Sequence, residues 1–170
     1  IAHRLAAEDT CQLSNRYPSD KYLLTAEQCS EALLTQVFSP RIAAPEVFRQ
    51  FVYAWLTGNG DLHAKNLSIV ENRKGQYELS PIYDIPSTAP YGDKSMALLL
   101  SGKKDGLSRR RFLTFAHNIG VSSRVAEHVL EEVLTGTEHL AEQAREELPF
   151  DSHHMKELLK VLKNRRRSLL

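Results

Sequence analysis

The chain has 170 residues, 42% of them hydrophobic and 25% charged, which is an ordinary composition for one globular domain with its own core. Its formal net charge of +1 excludes a global electrostatic field for nucleic acid or anionic membranes. Two cysteines without a Cys-x-x-Cys spacing argue against a disulfide framework, and no apolar run is long enough to cross a bilayer. We therefore expect a reduced, cytoplasmic protein with no membrane contact.

Two helices are predicted before residue 40, with a turn-rich connection between them. The first is a short helix near residues 8–13. The second runs over about 26–38, because apolar residues recur there at three- and four-residue steps. Thr25 and Gln28 form a capping box at its start, and Pro40 is expected to end it.

The third predicted helix begins at Pro45 and leads into a polar loop. Apolar residues cover nearly all of its faces up to Trp55, so we expect this helix to be buried. Gly58 is expected to end it in the left-handed conformation. A buried helix would give Asp61, in the following loop, a rigid mount.

One β-hairpin and three further helices are predicted after this loop. Short strands at 67–70 and 76–79 flank a turn with Gly75, where a positive φ is expected. The apolar run at 95–100 fits a strand or a buried helix. The remaining helices are predicted over about 108–118, over 123–134 with an optional extension to 148, and from 152 onward. The predicted fold class is mainly α with a small β-hairpin.

Three side chains around this hairpin are of the types that phosphoryl transfer uses. Asp61 is followed five residues later by Asn66, and Asp84 lies just beyond the second predicted strand. One carboxylate can orient a nucleophilic hydroxyl, while an amide and another carboxylate hold Mg²⁺ through oxygen. Asp61 taken alone fits a turn-forming role better than a catalytic one. The three residues together favour a catalytic site.

Three residues next to Asp61, Asn66 and Asp84 each fit more than one role. His63 fits a metal ligand, a polar contact to a phosphate, or a residue that structures the loop. Lys65 fits a charge that steadies the γ-phosphate or a solvated loop lysine. Tyr83 fits a contact to a nucleotide base or a core aromatic that anchors the loop.

Other charged and titratable groups are expected to be solvated surface. The histidines outside the loop lack the spacing of a dinuclear metal site and are expected to be exposed: His117, His128 and His139. A first basic cluster could contact phosphates of nucleic acid but is expected to be solvated: Lys103, Lys104, Arg109, Arg110 and Arg111. A second is expected to be a solvated helix C-terminus: Lys160, Lys163, Arg165, Arg166 and Arg167.

The loop and the segment after the hairpin resemble a known catalytic core. Residues 58–66 (GNGDLHAKN) and 81–85 (PIYDI) are similar to the core of HipA-type serine/threonine kinases, the toxins of bacterial toxin–antitoxin systems. Upstream residue pairs resemble the start of that family's C-terminal lobe: Arg4-Leu5, Glu8-Asp9, Cys11-Gln12 and Lys21-Tyr22.

The resemblance implies a role for each site residue. Asp61 would be the catalytic base, and Asn66 and Asp84 the Mg²⁺ ligands. The nucleotide site for ATP would be lined by His63, Lys65, Asn66, Tyr83 and Asp84. The fold would be protein-kinase-like, with residues 1–170 as its helical C-lobe.

The resemblance also implies partners and an incomplete site. Family members phosphorylate serine or threonine of proteins, including aminoacyl-tRNA synthetases. They pair with a HipB-type helix-turn-helix antitoxin, and that complex binds operator DNA. No sequence counterpart of the kinase N-lobe is present in this chain, which starts at Ile1. We therefore expect a piece of a longer protein that, alone, binds ATP weakly and transfers phosphate poorly.

Two other functions remain open at this stage. Aminoglycoside and choline kinases also carry a Gly-Asp-x-His-x-x-Asn loop, so residues 60–66 fit a small-molecule kinase as well. The third hypothesis is a degenerate, non-catalytic lobe that binds an antitoxin or takes part in DNA-bound repression.

Overall fold

The computed structural model describes residues 4–170, which form a mainly helical domain with one small sheet. The strands are β1 (Ala7–Asp9), β2 (Ser68–Glu71) and β3 (Tyr77–Leu79). The helices are α1 (Thr10–Leu13), α2 (Ala26–Leu34), α3 (Pro40–Thr57), α4 (Arg109–Asn118), α5 (Ser123–Gly136), α6 (Leu140–Glu147) and α7 (Ser152–Leu169). The predicted fold class is confirmed. Within the described residues, no helix is both long and apolar enough to cross a bilayer.

The sheet has three antiparallel strands in the order β1-β2-β3. The hairpin of β2 and β3 is confirmed, with Ile69 opposite Leu79. The predicted helix at 8–13 is wrong in its first part, because Asp9 ends β1 opposite Ser68 and only then caps α1. A strand of three residues is too short to show a two-residue alternation, so the sequence pattern missed it.

The two prolines around α3 act differently from the prediction. Helix α2 ends at Leu34 rather than near residue 38. Pro40 is the first residue of α3, not a stop, because its missing N–H is not needed in the first turn. Pro45 lies inside α3, where it removes one intrahelical hydrogen bond. The surrounding apolar packing evidently outweighs this local cost.

Helix α3 forms the centre of the core, as predicted. Its Phe48 and Phe51 are fully buried and pack against the aromatic face of α4. The ring centroids of Phe51 and Phe115 lie 5.1 Å apart in an edge-to-face arrangement, and those of Phe48 and Phe112 lie 6.4 Å apart. Such pairs add about 1 kcal/mol each beyond the area that they bury. The element that precedes the candidate loop is therefore among the best-packed parts of the domain.

The C-terminal third differs from the prediction at one helix boundary. Helix α5 ends at Gly136 and α6 is separate, so the extension to residue 148 is wrong. Thr137 ends α5, with its Oγ1 bonded to the carbonyl of Val133 at 2.7 Å. The start of α7 is confirmed, since the Asp151 side chain accepts from two backbone N–H groups. Residues 95–100 are neither strand nor helix but a mostly buried, irregular segment.

The two basic clusters are not simply solvated surface. In the first, Arg109 binds Glu127 and Glu131 of α5, and the Arg111 guanidinium donates to the carbonyl of Ser101 at 2.6 Å. In the second, Arg165 is buried, because it contacts the end of α3. The exposed histidines were predicted correctly: His117, His128 and His139.

Candidate active site

The loop at 58–66 leaves α3 through two glycines that no other residue could replace without movement. Gly58 ends α3 with a φ of +75°, as predicted. The N–H of Gly60 donates to Thr88 Oγ1 at 2.9 Å. A Cβ at Gly60 would lie 2.3 Å from that same Oγ1 and 2.8 Å from the carbonyl oxygen of Ser95. The loop is thus pressed directly against residues 88–95.

Arg165 of α7 supports the same region from behind. Its guanidinium donates to the carbonyls of Trp55 at 2.9 Å and Lys94 at 2.5 Å. It also lies over the Trp55 ring, 4.1 Å from the centroid. Burial lowers the pKa of Arg165 to about 10, so it stays charged at neutral pH. A cation at the C-terminal end of α3 interacts favourably with the helix dipole.

Asp61 is held on both its side chain and its backbone. The phenol of Tyr22 donates to Asp61 Oδ1 at 2.7 Å. The N–H of Asp61 donates to Asn59 Oδ1 at 2.8 Å, and Asn59 is buried. Charge-assisted hydrogen bonds of this kind fix a carboxylate in one orientation. Asp61 is half-buried, which leaves it accessible to another hydroxyl.

His63 is a buried residue of the loop with a partner on one ring nitrogen. Its Nε2 lies 2.8 Å from Lys21 Nζ, and its ring stands edge-on to Tyr22, with 5.2 Å between centroids. Within the described residues, Nδ1 is the one buried side-chain nitrogen or oxygen without a hydrogen-bond partner. Burial and then the charge of Lys21 lower the pKa of His63, so the imidazole is neutral at pH 7.

The structure brings Asn66 and Asp84 together across the hairpin. The Asn66 amide nitrogen donates to Asp84 Oδ2 at 2.5 Å, although 18 residues separate the two. Asn66 is buried and Asp84 is exposed. Asp84 has a φ of +55°, a conformation that a short polar side chain tolerates better than most. The carboxylate is therefore turned towards the loop by an uncommon backbone conformation.

The Asn66–Asp84 pair fits a magnesium site. Mg²⁺ in phosphotransfer sites binds one or two protein oxygens and keeps water and phosphate oxygens as its other ligands. Asn66 Oδ1 makes only a long contact of 3.4 Å with the N–H of His63. Rotation of the amide would place that oxygen beside the Asp84 carboxylate, at the cost of the hydrogen bond between the two side chains. Two adjacent oxygens repel each other without a cation and can share one when it binds.

Lys65 and Tyr83 make structural contacts of their own. Lys65 Nζ donates to Asp9 Oδ2 at 2.7 Å, and this hydrogen bond raises the pKa of Lys65. The Tyr83 hydroxyl donates to the carbonyl of Lys65 at 2.8 Å and lies 2.5 Å from Ser68 Oγ. The Tyr83 ring remains 41% exposed. The structure thus ties both residues to the sheet, and their contact with a nucleotide stays a prediction.

Sequence reasoning assigned no role to Tyr22, Lys21 and Thr10, which contact the loop. Thr10 Oγ1 donates to the carbonyl of Ala64 at 2.5 Å, and its N–H donates to the carbonyl of Leu67 at 2.9 Å. These partners lie about 40 to 60 positions apart in the chain, where no local periodicity operates. The one available signal was the resemblance of the pairs Glu8-Asp9 and Lys21-Tyr22.

Comparisons with known sequences find one matching family model and several similar proteins. A family model described as "HipA-like C-terminal domain" matches residues 2–141. A Haemophilus influenzae protein named "Putative kinase" is 29% identical over 117 residues, covering 58% of this chain and 34% of that protein. "Putative kinase Y4mE" of Sinorhizobium fredii is 30% identical over 129 residues, covering 71% of this chain and 30% of that protein. The chain therefore spans about a third of the length of these curated relatives.

Two solved structures share the fold. HipA of Shewanella oneidensis, solved with HipB and its operator DNA, has a TM-score of 0.76 at 18% identity. That match covers 96% of this chain and 43% of HipA. The Helicobacter pylori proinflammatory kinase CtkA has a TM-score of 0.56 at 16% identity, covering 98% of this chain and 69% of that chain. These likenesses show that the chain shares its fold with the corresponding parts of the two proteins.

Proposed function

The chain belongs to the HipA-like C-terminal domain family, and from this membership we propose that it is the catalytic lobe of a protein serine/threonine kinase. The reaction would transfer the γ-phosphate of ATP to a hydroxyl of a protein. Relatives named as kinases support the general activity. The choice of a protein hydroxyl as acceptor is our proposal.

The observation that carries this proposal is the contact between Asn66 and Asp84. The two residues lie 18 positions apart and still meet, at the end of the loop that holds Asp61. The phenol of Tyr22 donates to Asp61 and its ring stands edge-on to His63, whose N–H donates to Asn66 Oδ1 at 3.4 Å. This arrangement supports a site in which Asp61 is the base and Asn66 and Asp84 bind the metal, as phosphoryl transfer requires.

We assign the proton transfer to Asp61. As the acceptor oxygen attacks the γ-phosphorus, the bond from phosphorus to the ADP oxygen breaks, and the hydroxyl proton passes to the Asp61 carboxylate. Asn66 and Asp84 would hold Mg²⁺, which when bound neutralises the charge that develops on the phosphate oxygens. The buried α3 and Arg165 keep the loop from shifting, and small displacements of a catalytic group are costly in rate.

The neighbouring residues would complete the nucleotide side of the site. His63 has an unpaired buried nitrogen that can contact a phosphate oxygen. Lys65 would have to leave Asp9 to reach a phosphate, and otherwise contributes positive charge nearby. The exposed Tyr83 ring offers an apolar surface to a base. In this proposal ATP is also gripped by parts of the protein outside these 170 residues.

The biological setting proposed here follows the family. The solved Shewanella relative is a toxin–antitoxin protein in complex with HipB and operator DNA. By analogy, the full-length protein would be a cytoplasmic toxin, with a HipB-like antitoxin as its partner and operator DNA bound through that complex. An aminoacyl-tRNA synthetase is one candidate for the protein substrate.

The test is phosphate transfer from labelled ATP by the full-length gene product. Asp61→Asn should lower the rate by about 10²–10⁴-fold, because the base is lost while the shape is kept. Asp105→Asn, at an exposed carboxylate outside the loop, is the matched control and should leave the rate unchanged. Equal rates for the two variants would refute the proposal.

The acceptor is decided in the same assay. Protein fractions and a panel of amino-sugars and amino-alcohols are offered in parallel, since the loop at 60–66 also fits small-molecule kinases. Label in protein serine or threonine supports the proposal. Label confined to the small molecules would assign the site to the other class.

A further inference from the structure

Two adjacent residues before α2 contact two adjacent parts of the loop. Tyr22 binds Asp61, and Lys21 binds His63. We propose that Lys21 and Tyr22 are positioning residues of the phosphotransfer site: Tyr22 orients the Asp61 carboxylate, and Lys21 selects the tautomer of His63. This inference rests on the function proposed above and names residues that the resemblance alone gave no role.

Tyr22 forms a hydrogen bond with only one of the two carboxylate oxygens of Asp61. The phenol occupies Oδ1 at 2.7 Å, while Asn59 fixes the backbone N–H of the same residue. Within residues 4–170, no hydrogen bond reaches Oδ2. The oxygen left free is therefore the one that an acceptor hydroxyl would meet. The hydrogen bond to Asp61 raises the pKa of Tyr22, so its phenol remains a donor throughout the neutral range.

Lys21 acts through the chemistry of its ammonium group. An ammonium has hydrogens to donate and no lone pair to accept with. His63 Nε2, 2.8 Å from Lys21 Nζ, must therefore be the unprotonated nitrogen of the neutral ring. The ring proton is then on Nδ1, which is buried and has no partner among the described residues. A buried, unpaired N–H is costly, and an acceptor oxygen arriving with the substrate would relieve that cost.

The side chains of Lys21 and Tyr22 can be changed without removing the segment from the loop. The N–H of Ala64 donates to the carbonyl of Lys21 at 3.1 Å, so the backbone connection is independent of both side chains. Tyr22 is 44% exposed, and its ring would still face His63 if the hydroxyl were removed. Tyr22→Phe is therefore a clean deletion of one hydrogen bond.

The first experiment is a double-mutant cycle between Tyr22 and Asp61 in the full-length protein. Tyr22→Phe should lower kcat by about ten- to a hundredfold, the loss expected for a hydrogen bond to a charged group, with the KM for ATP unchanged. In the Asp61→Asn background the same change should have no further effect, because Tyr22 acts through the carboxylate. Tyr17→Phe, at a 78% exposed tyrosine of the same segment, is the control.

The outcomes separate this inference from the proposed function. If Asp61→Asn keeps full activity, the proposed function fails. If Asp61→Asn lowers the transfer rate as expected but Tyr22→Phe behaves like Tyr17→Phe, only the positioning role of Tyr22 fails. An equal loss from Tyr22→Phe in both backgrounds also overturns it, since that loss would be independent of Asp61.

The role of Lys21 can be tested without a phosphate-transfer assay, by measuring the tautomer of His63. Nitrogen-15 NMR of histidine-labelled protein distinguishes the two tautomers, and the His63 signals are identified by their loss in His63→Gln. We expect the Nδ1–H form in the unaltered protein and an increased share of the Nε2–H form in Lys21→Met. Lys74→Met, on the exposed hairpin turn, should leave the signals unchanged. An unchanged tautomer in Lys21→Met would overturn the assignment.

Discussion

The two carboxylates of the site belong to regions of very different construction. The base loop, residues 58–66, is held on one side by the segment around Tyr22 and on the other by Thr88, and Arg165 donates to the carbonyl of Trp55 in the helix before it. The metal arm, residues 81–86, is exposed at every position. Side-chain hydrogen bonds attach it at Tyr83 and at Asp84 only, among those that the structure describes.

This difference shows which of the two carboxylates is held in position by the packing of the domain. The position of Asp61 is fixed by packing that would persist without any ligand. The position of Asp84 depends on one contact with Asn66 and on one uncommon backbone conformation. A part of a protein with few buried contacts opens more easily than its core. We therefore expect the base loop to be rigid and the metal arm to become fixed when metal and nucleotide bind.

The largest effect is expected from Gly60→Ala, which breaks the rigid region. The new Cβ would lie 2.3 Å from Thr88 Oγ1, so either the loop or residues 88–95 must move. We expect a loss of about 2–3 kcal/mol in the free energy of unfolding. Transfer should fall by at least about a hundredfold, because Asp61 moves with the loop.

A glycine in open space provides the control for Gly60. Gly136 ends α5, and nothing lies within 4 Å of a Cβ added there. Gly136→Ala should change the free energy of unfolding by less than about 1 kcal/mol, in the stabilising direction. Urea denaturation of both variants, followed by transfer assays, checks the pair. Equal stability of the two variants would show that the loop is not pressed as tightly as the distances indicate.

The next effect separates activity from stability in the metal arm. Asp84→Asn keeps a residue that tolerates positive φ at an exposed position, so stability should stay within about 0.5 kcal/mol. Transfer at limiting Mg²⁺ should fall by about a hundredfold, because a carboxylate ligand is lost. A titration of the rate with Mg²⁺, beside urea denaturation, measures both. A large loss of stability would mean that the arm is part of the core support.

A smaller effect is expected from Arg165→Met, which removes the contacts of Arg165 behind the base loop. The change removes a donor from the carbonyls of Trp55 and Lys94, the first of them in a buried place, and should cost about 2 kcal/mol of stability. Arg167→Met, on an exposed position of the same helix, should stay within about 0.5 kcal/mol. Thermal unfolding of the two variants gives the comparison, and similar melting temperatures would contradict it.

The smallest effect is a difference in thiol reactivity between the core of the domain and the exposed metal arm. Burial raises the pKa of Cys29 to about 12, so at pH 8 roughly one molecule in ten thousand carries the thiolate. Cys11 is also a buried free thiol. Iodoacetamide should therefore modify both only as fast as the domain unfolds. Ile82→Cys, placed in the exposed arm, should react like a free thiol; slow labelling there would mean that the arm is covered.

Local chemistry made much of the fold and of the triad predictable. The capping box at Thr25, the cap at Asp151 and the hairpin each depend on residues within a few positions of one another. The predicted metal site placed Asn66 and Asp84 together, and the hairpin allows their contact because it returns the chain to its starting edge. The role of α3 followed from its composition alone, since a helix that is apolar all round has to be buried.

Long-range contacts could not be predicted in the same way. Nothing in the residues around Tyr22 indicates Asp61, 39 positions later, and nothing around Arg165 indicates Trp55, 110 positions earlier. Strand β1 exists because β2 offers it an edge, and Pro45 is accepted inside α3 because its neighbours are buried. In each case tertiary packing outweighed a weak local preference.

Arg165 also sets an order of events during synthesis. The end of α3 leaves the ribosome well before α7, since 110 residues separate Trp55 from Arg165. At a synthesis rate of about 5–20 residues per second, roughly 5 to 20 s pass between the synthesis of Trp55 and that of Arg165. A nascent chain therefore contains the residues of the candidate site before Arg165 can contact the end of α3.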